Sequence, residues 1–430
     1  MRRIFPASCL LLALLTLRPA PARAHAGLPE TGNVTVRRGH PEDLFVGASF
    51  GAVVSRDSGQ SWRWLCPEAI GYGTLLPGAF LWREDGALFT ANGAALLRSN
   101  DGGCSWQAHS FFQGLYPAVV GFHPAEPSRL WVATGRYSTV NTLYRSDDGG
   151  ASFTATALRT THNAAFNGIR VAPSDPKRLY LSGNSSTTMS LFRSDDGGAT
   201  WEELPHPLSS LSYPYDLLLL HVAPNDPDHL WARVAAGGKT HLLESVDGGR
   251  TLKSVLALDD FLLSVETSAD ASTLWASTPV HLYRSKGGAP ATPLPRPEGN
   301  ACAYRDGDTL YVCGSPWVHD WALARSLDEG DTLQPLFTFE DIQGVLACPA
   351  GTPAHDVCGP KWPQLRQQLG LAPLPSDGGT ELPPDAGPSE PAPSPPAKGC
   401  SATGGLLPAA WLLTLAALRH SRRRGLEVPT

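Results

Sequence analysis

The sequence holds few of the motifs that mark a reaction centre. It has no Cys-x-x-Cys pair, so the usual zinc-ligand spacing is missing and no metal is expected. His-Glu-x-x-His, Gly-x-Ser-x-Gly, Walker and dinucleotide motifs are also missing, and no cofactor is expected. Helical periodicity is nearly absent before Trp362, which leaves an all-β chain. Basic residues cluster only near the two ends. Without those ends the chain is more acidic than its overall net charge of −6, which argues against a nucleic-acid partner.

The two ends read as targeting segments. Residues 1–24 carry Arg2 and Arg3, a short apolar run from Cys9 to Leu17, and the small-residue pattern Ala22-Arg-Ala24. That is the order of a secretory signal peptide, and the apolar run is shorter than the roughly 20 residues needed to span a bilayer. Residues 371–399 form a Pro-rich linker with little to bury, expected to be extended and disordered. Residues 400–430 hold Cys400, the apolar run Leu406 to Leu418 and a basic cluster at Arg422, Arg423 and Arg424. Counted back through Ala402, the run is just long enough to cross a membrane with its basic end in the cytoplasm. Residues 25–370 remain for the fold.

An exported chain favours disulfides. Cys66, Cys104, Cys302, Cys313, Cys348 and Cys358 give an even number in the globular part. Cys302 and Cys313 flank "AYRDGDTLYV", whose Asp306-Gly307 marks a hairpin turn, so they are expected to face each other across two strands. Cys348 with Cys358 is the natural local pair, which leaves Cys66 with Cys104.

The dominant pattern is a repeat. "SRDSGQSW" begins at Ser55, "SNDGGCSW" at Ser99, "SDDGGASF" at Ser146, "SDDGGATW" at Ser194, "SVDGGRTL" at Ser245 and "SLDEGDTL" at Ser326, with a worn copy, "SKGG", at Ser285. Their spacing of 40 to 51 residues matches the 40–50 residues of a four-stranded propeller blade. A second repeat runs in phase: "VVGFHPAEPSRLWVAT", "IRVAPSDPKRLYLSG" and "LHVAPNDPDHLWARV" each read as strand, Pro-containing turn and strand. The order per blade is therefore strand A, Pro turn, strand B, loop, strand C, box, strand D. "DIQGVLACPAGTP" at Asp341 reads as one more strand A that completes the first blade.

The boxes resemble the Asp-box or BNR repeat, Ser-x-Asp-x-Gly-x-Ser/Thr-Trp, of sialidases, sortilin-like receptors and photosystem assembly factors. The resemblance covers roughly residues 33–350. It implies a seven-bladed β-propeller with four antiparallel strands per blade, in which Asp57, Asp101, Asp148, Asp196, Asp247 and Asp328 are structural and lie on the face opposite the binding site. The residues agree with that role. The first acid of each Asp-Asp pair, Asp147 or Asp195, is replaced by Arg56, Asn100, Val246 and Leu327 in other copies, which a shared metal site would not tolerate.

Chemistry is then expected on the face formed by D–A connectors and B–C loops. The connectors hold Tyr72, Phe111, Phe112, Tyr116, His162, Asn163, Phe166, Tyr213 and Tyr215, and the loops hold Arg136, Tyr137, Asn184, Lys239, Trp317 and His319. Aromatics interspersed with amide and cationic groups suit stacking on sugars or peptide segments. This favours a non-catalytic module that binds a glycan or protein ligand. A sialidase-like or other glycoside hydrolase is the alternative. It would need three carboxylate-binding arginines or two facing acids. The Arg-Ile-Pro signature is missing, Arg37 and Arg38 fall on the first inner strand with Arg170 the one further arginine at a matching strand-A position, and Asp216 and Asp341 are lone acids at strand starts.

The tail "KGCSATGGLLPAAWLLTLAALRHSRRR" resembles the myxobacterial sorting signal MYXO-CTERM. That resemblance implies cutting near Cys400 by a sorting protease, lipid attachment there, and display at the cell surface or outer membrane of a Gram-negative bacterium.

Overall fold

The computed structural model describes residues 29–72, 79–123, 125–160, 163–205, 208, 210–299 and 302–372. The expected signal peptide, most of the linker, Cys400 and the tail lie outside these residues, as does His162. Strands form seven sheets, and the chain is a seven-bladed β-propeller with four antiparallel strands per blade. Each blade takes its strands from one contiguous stretch. Blade 1 is Thr31–Arg37, His40–Ala48, Gly51–Ser55 and Trp62–Leu65. Blades 2 to 7 begin at the inner strands Phe80–Trp82, Pro117–His123, Ala164–Ala172, Tyr215–Val222, Ser264–Thr267 and Ala303–Asp306.

One side chain per blade explains much of the packing. The second strands place Phe45, Phe89, Trp131, Tyr180, Trp231, Trp275 and Tyr311 at corresponding positions, all buried. The next blade's box turn caps several of them. A Cβ on Gly150 would sit 3.0 Å from Phe89, and one on Gly198 would sit 2.8 Å from the Trp131 indole. Both glycines also hold φ above +80°, so close approach and backbone hand demand glycine together. The Trp275 indole N–H donates to the Glu329 carbonyl at 3.0 Å.

The box is a closed hydrogen-bonded turn. In the copy at Ser146, the Ser146 hydroxyl donates to Asp148 Oδ1 (2.7 Å) and accepts from Gly150 N–H (2.8 Å). Asp148 Oδ1 accepts from Ser152 N–H (2.9 Å), and Oδ2 accepts from the Ser152 hydroxyl (2.5 Å). The same Ser–Asp bond recurs at Asp57, Asp101, Asp196, Asp247 and Asp328. These donors hold the Asp148 carboxyl well below the usual range, and those of Asp196 and Asp328 down to about 2. The first acid of each pair has a separate task. Asp147 bridges Arg129 (2.9 Å) on the second strand and Arg145 (2.8 Å) on the third.

Ring closure differs from the expected arrangement. Ile342–Val345 does not join blade 1 as an inner strand, because Thr31–Arg37 already fills that place. It pairs in parallel with Trp62–Leu65 and covers the otherwise open outer edge of the blade. Asp341 therefore precedes an outer strand and closes a capping box at Thr338. The chain then runs on as a strap, with the short helices Pro353–Asp356 and Trp362–Gln368. Two disulfides fasten it: Cys66–Cys358 and Cys104–Cys348. The local pairing of Cys348 with Cys358, and of Cys66 with Cys104, is thus replaced by links across the seam, because the strap lies over blades 1 and 2. Cys302–Cys313 pairs across its hairpin as expected.

Candidate functional site

Strands alternate in direction, so A–B turns and boxes lie at one end of the ring while D–A connectors and B–C loops lie at the other. The exposed aromatics gather at the loop end: Phe111, Tyr137, Tyr213, Tyr215, Phe261 and Trp317 belong to its loops or to the first positions of inner strands, while exposed aliphatics occur at both ends, as Val140 and Val318 here and Val246 and Leu327 in the boxes. Tyr213 is 93% exposed, so nothing among the described residues covers it. Strained backbone occurs at both ends, at Ser58, Ala271 and Glu329 in the boxes and A–B turns, and at six positions here. Tyr116, Ser138, Asn163, Tyr213, Asp216 and Asp320 all have positive φ without being glycine. For bulky tyrosines such as Tyr116 and Tyr213 that conformation is costly and persists only where surrounding contacts impose it.

Those contacts can be traced. Asn141 is buried and holds the 136–141 loop from inside. Its Oδ1 accepts from Arg136 N–H (2.9 Å), and its Nδ2 donates to the Arg136 (2.8 Å) and Ala164 (2.6 Å) carbonyls. The loop thus presents Tyr137 to solvent and sets the Arg136 guanidinium 3.9 Å from the Tyr116 ring centre. A second stack forms two blades further on. Arg233 donates to the Leu262 carbonyl (2.8 Å), approaches Asp216 (3.4 Å) and lies 3.8 Å from the centre of the Phe261 ring. Asp216 also faces the Asn184 amide, which exchanges two hydrogen bonds with Leu217.

The expected site residues divide into groups. Tyr116, Arg136 and Tyr137 come together between blades 2 and 3, and exposed Asn163 follows on the next connector. Tyr213 and Tyr215 form an exposed pair entering blade 5. Trp317 belongs to blade 7, where its indole donates to the Pro29 carbonyl at 3.3 Å and its ring stays half exposed. Nearby His319 is occupied: Nε2 accepts from Glu298 N–H at 2.7 Å and the ring stacks on Trp321. Three expectations are corrected. Phe166 is buried on the inner strand Ala164–Ala172, its ring centre 6.0 Å from that of Phe192. Phe112 is fully buried against Phe153 and Tyr144, because the short outer strand of blade 2 lets its connector turn inward. Tyr72 is buried with its hydroxyl toward the Gly51 carbonyl, and burial pushes that phenol upward. Sequence reading missed the Arg233–Phe261 stack. Phe261 occupies a connector place similar to Tyr213, and that was the available signal.

Among the described residues no cluster of His, Cys, Asp and Glu is placed to hold a metal, and no helix is long and apolar enough to cross a membrane.

The architecture defines the class of protein, a seven-bladed β-propeller, and the first of the solved structures below, with a TM-score above 0.5, shares the fold. An ancestral GH74 enzyme superposes with a TM-score of 0.54 at 12% identity, over 75% of this chain and 48% of that one. The present chain thus spans about half that enzyme's length. YCF48 from Cyanidioschyzon merolae matches at a TM-score of 0.46 and 16% identity, over 66% of this chain and 92% of that one. The extracellular domain of a putative one component system from B. thetaiotaomicron matches at 0.48 and 14%, over 70% and 39%. At these identities the likeness concerns the fold alone. No protein-family model matches the sequence, and no curated protein does.

Proposed function

We propose that this is an exported binding propeller whose D–A/B–C face engages a glycan or protein ligand outside the cytoplasm, with the C-terminal tail as its tether after cutting by a sorting protease. In this reading the repeated turns are Asp-boxes of the BNR type and serve the scaffold. The observation that carries the proposal is the concentration of exposed aromatics in the loops of one face, braced by two arginine–aromatic stacks. Rigid aromatic area beside cationic and amide groups is the composition of recognition surfaces.

The glycosidase reading has less support. Its two candidate acids are engaged elsewhere: Asp216 faces Arg233 and Asn184, and Asp341 caps Thr338. Arg37 pairs with Asp43 at 3.0 Å and does not join Arg170. The test is a glycan array together with a reducing-sugar assay on the same glycans. Binding by the wild-type chain that is lost in a Tyr137→Ala, Tyr213→Ala, Trp317→Ala variant supports the proposal. Equal binding by that variant rules out this face. Release of reducing ends that stops in Asp216→Asn establishes the hydrolase instead.

A further inference from the structure

We propose that the central channel of the ring contains a binding site for a small apolar monocarboxylate, with Arg170 receiving the carboxylate. This goes beyond the loop-face reading and does not depend on it.

The channel cavity measures about 220 Å³. Its upper wall is apolar, with Ala91, Ala118, Val120, Leu218 and Leu263 contributed by successive blades. Arg170 supplies the charge. It stands late in the inner strand Ala164–Ala172, and more than a third of its surface is open to the channel. Its Nε donates to the Leu220 carbonyl (2.8 Å) and its Nη1 to the Ile169 carbonyl (2.8 Å). Those bonds fix the guanidinium against the wall while Nη2 has no hydrogen bond among the described residues. No carboxylate there lies within ion-pair distance of Arg170. Arginines elsewhere in the ring are ion-paired, as Arg178 is with Asp195 and Arg233 with Asp216. A fixed guanidinium with no ion pair among the described residues, beside an apolar wall, matches a carboxylate on a short hydrocarbon.

The neighbouring groups sharpen this picture. Glu266 and His221 face Arg170 from the inner strands of blades 6 and 5, with His221 Nδ1 3.9 Å from Glu266 and His221 Nε2 3.1 Å from the Thr267 hydroxyl. Desolvation pushes Glu266 up to about 8 and His221 down to about 3, so both are neutral near pH 7 and leave the Arg170 charge standing. Farther along, Tyr304, Arg305, Asp306 and Arg38 line the blade 7 and blade 1 walls, with Arg305 held by Asp308 at 3.2 Å. His229 lies beyond His221 and is paired with Glu244 at 2.7 Å. Above pH 8 Glu266 ionises, cancels Arg170 and repels the ligand. Below about pH 4–5 a simple carboxylic acid loses its own charge. Binding is therefore confined to the interval between.

The experiment titrates hexanoate, and hexan-1-ol as its neutral analogue, into the full chain by calorimetry at pH 6.5 and 9. Saturable hexanoate binding is expected at pH 6.5, weaker at pH 9. Hexan-1-ol, or hexanoate with Arg170→Met, should bind roughly 10- to 100-fold more weakly, as expected for losing charge-assisted hydrogen bonds. Glu266→Gln should bind hexanoate equally at both pH values, a readout that a merely structural Arg170 would not give. Leu218→Trp, which fills the cavity without touching the guanidinium, should abolish binding and stands in if Arg170→Met fails to fold. Tyr137→Ala should leave hexanoate affinity unchanged. Absence of saturable hexanoate binding by the folded wild-type chain, or equal affinity for hexan-1-ol, overturns the proposal.

Discussion

Breaking the two disulfides of the strap should cost far more stability than breaking the hairpin disulfide. Each blade takes its four antiparallel strands from one contiguous stretch, so the one strand joining the end of blade 7 to blade 1 is the short parallel Ile342–Val345 at the start of the strap. What crosses that seam is side-chain packing, such as Trp62 against Phe337, a few hydrogen bonds, and the strap. Cys66–Cys358 closes a loop with a sequence separation of 292, whereas Cys302–Cys313 closes one of 11. In the chain-entropy model the first is worth roughly 5–6 kcal/mol and the second roughly 3 kcal/mol. Once Cys66–Cys358 exists, Cys104–Cys348 closes only the short remaining ring and adds roughly 4 kcal/mol. Together the strap links approach the whole stability of an ordinary domain, about 5–15 kcal/mol. The variant carries Cys66→Ser, Cys104→Ser, Cys348→Ser and Cys358→Ser, compared with one carrying Cys302→Ser and Cys313→Ser. Scanning calorimetry should place the melting of the first on the order of 10 °C below wild type and that of the second only a few degrees below. If the hairpin variant loses as much as the strap variant, the seam does not depend on the strap and this account of closure is wrong.

Three further outcomes are expected. Asp196→Ala strands the Thr200 N–H and hydroxyl and should lower the melting temperature by roughly a few degrees without changing ligand binding, and lost binding at an unchanged melting temperature would contradict the scaffold role. The box acids have folded-state pKa values depressed to about 2 at Asp196 and Asp328, so their contribution is complete above about pH 4 and lost as pH falls toward 2. An acid titration followed by circular dichroism checks this, and Asp328→Asn should flatten part of that limb. Cys400→Ser should leave the precursor uncut or unanchored, and mass spectrometry of surface-exposed protein ending at Thr430 would refute the sorting proposal.

The blade number was legible because six copies of the box supply the same short hydrogen-bonded turn and the worn copy at Ser285 keeps its place in the spacing. The aromatic on each second strand was equally periodic, yet it is Phe45 in one blade, Trp131 in another and Tyr180 in a third, so apolar size was conserved where identity was not. Closure was illegible for a different reason. "DIQGVLACPA" has the composition of a strand, but which edge it covers depends on which edge the ring leaves open. Disulfide pairing followed the same non-local logic, and spacing alone pointed to the wrong partners for four cysteines. At the loop face, residue type located the aromatics but not their burial, which is why Phe111 and Phe112, adjacent in sequence, end up half exposed and buried.

The two ends of the ring obey different constraints, and this separates scaffold from function more firmly than any single residue. At the box end, hydroxyls, carboxylates and glycine N–H groups satisfy one another within each turn, and the turns also cap the neighbouring blade, as the Glu329 carbonyl accepts from the Trp275 indole. At the loop end, order comes from contacts between neighbours: Asn141 reaches the next blade's Ala164, Asn184 reaches Leu217, and Arg233 ties Asp216 to Leu262. A change in one loop there is felt by the adjoining blade, while side chains at the loop tips, such as Tyr137 and Tyr213, bear little structural duty. Substituting them should therefore alter recognition without altering stability. Substituting Asn141 or Asn184 should shift both, because each fixes the backbone on which those tips stand. Tyr137→Ala that lowered the melting temperature as much as Asn141→Ala would show that the tips are part of the scaffold after all.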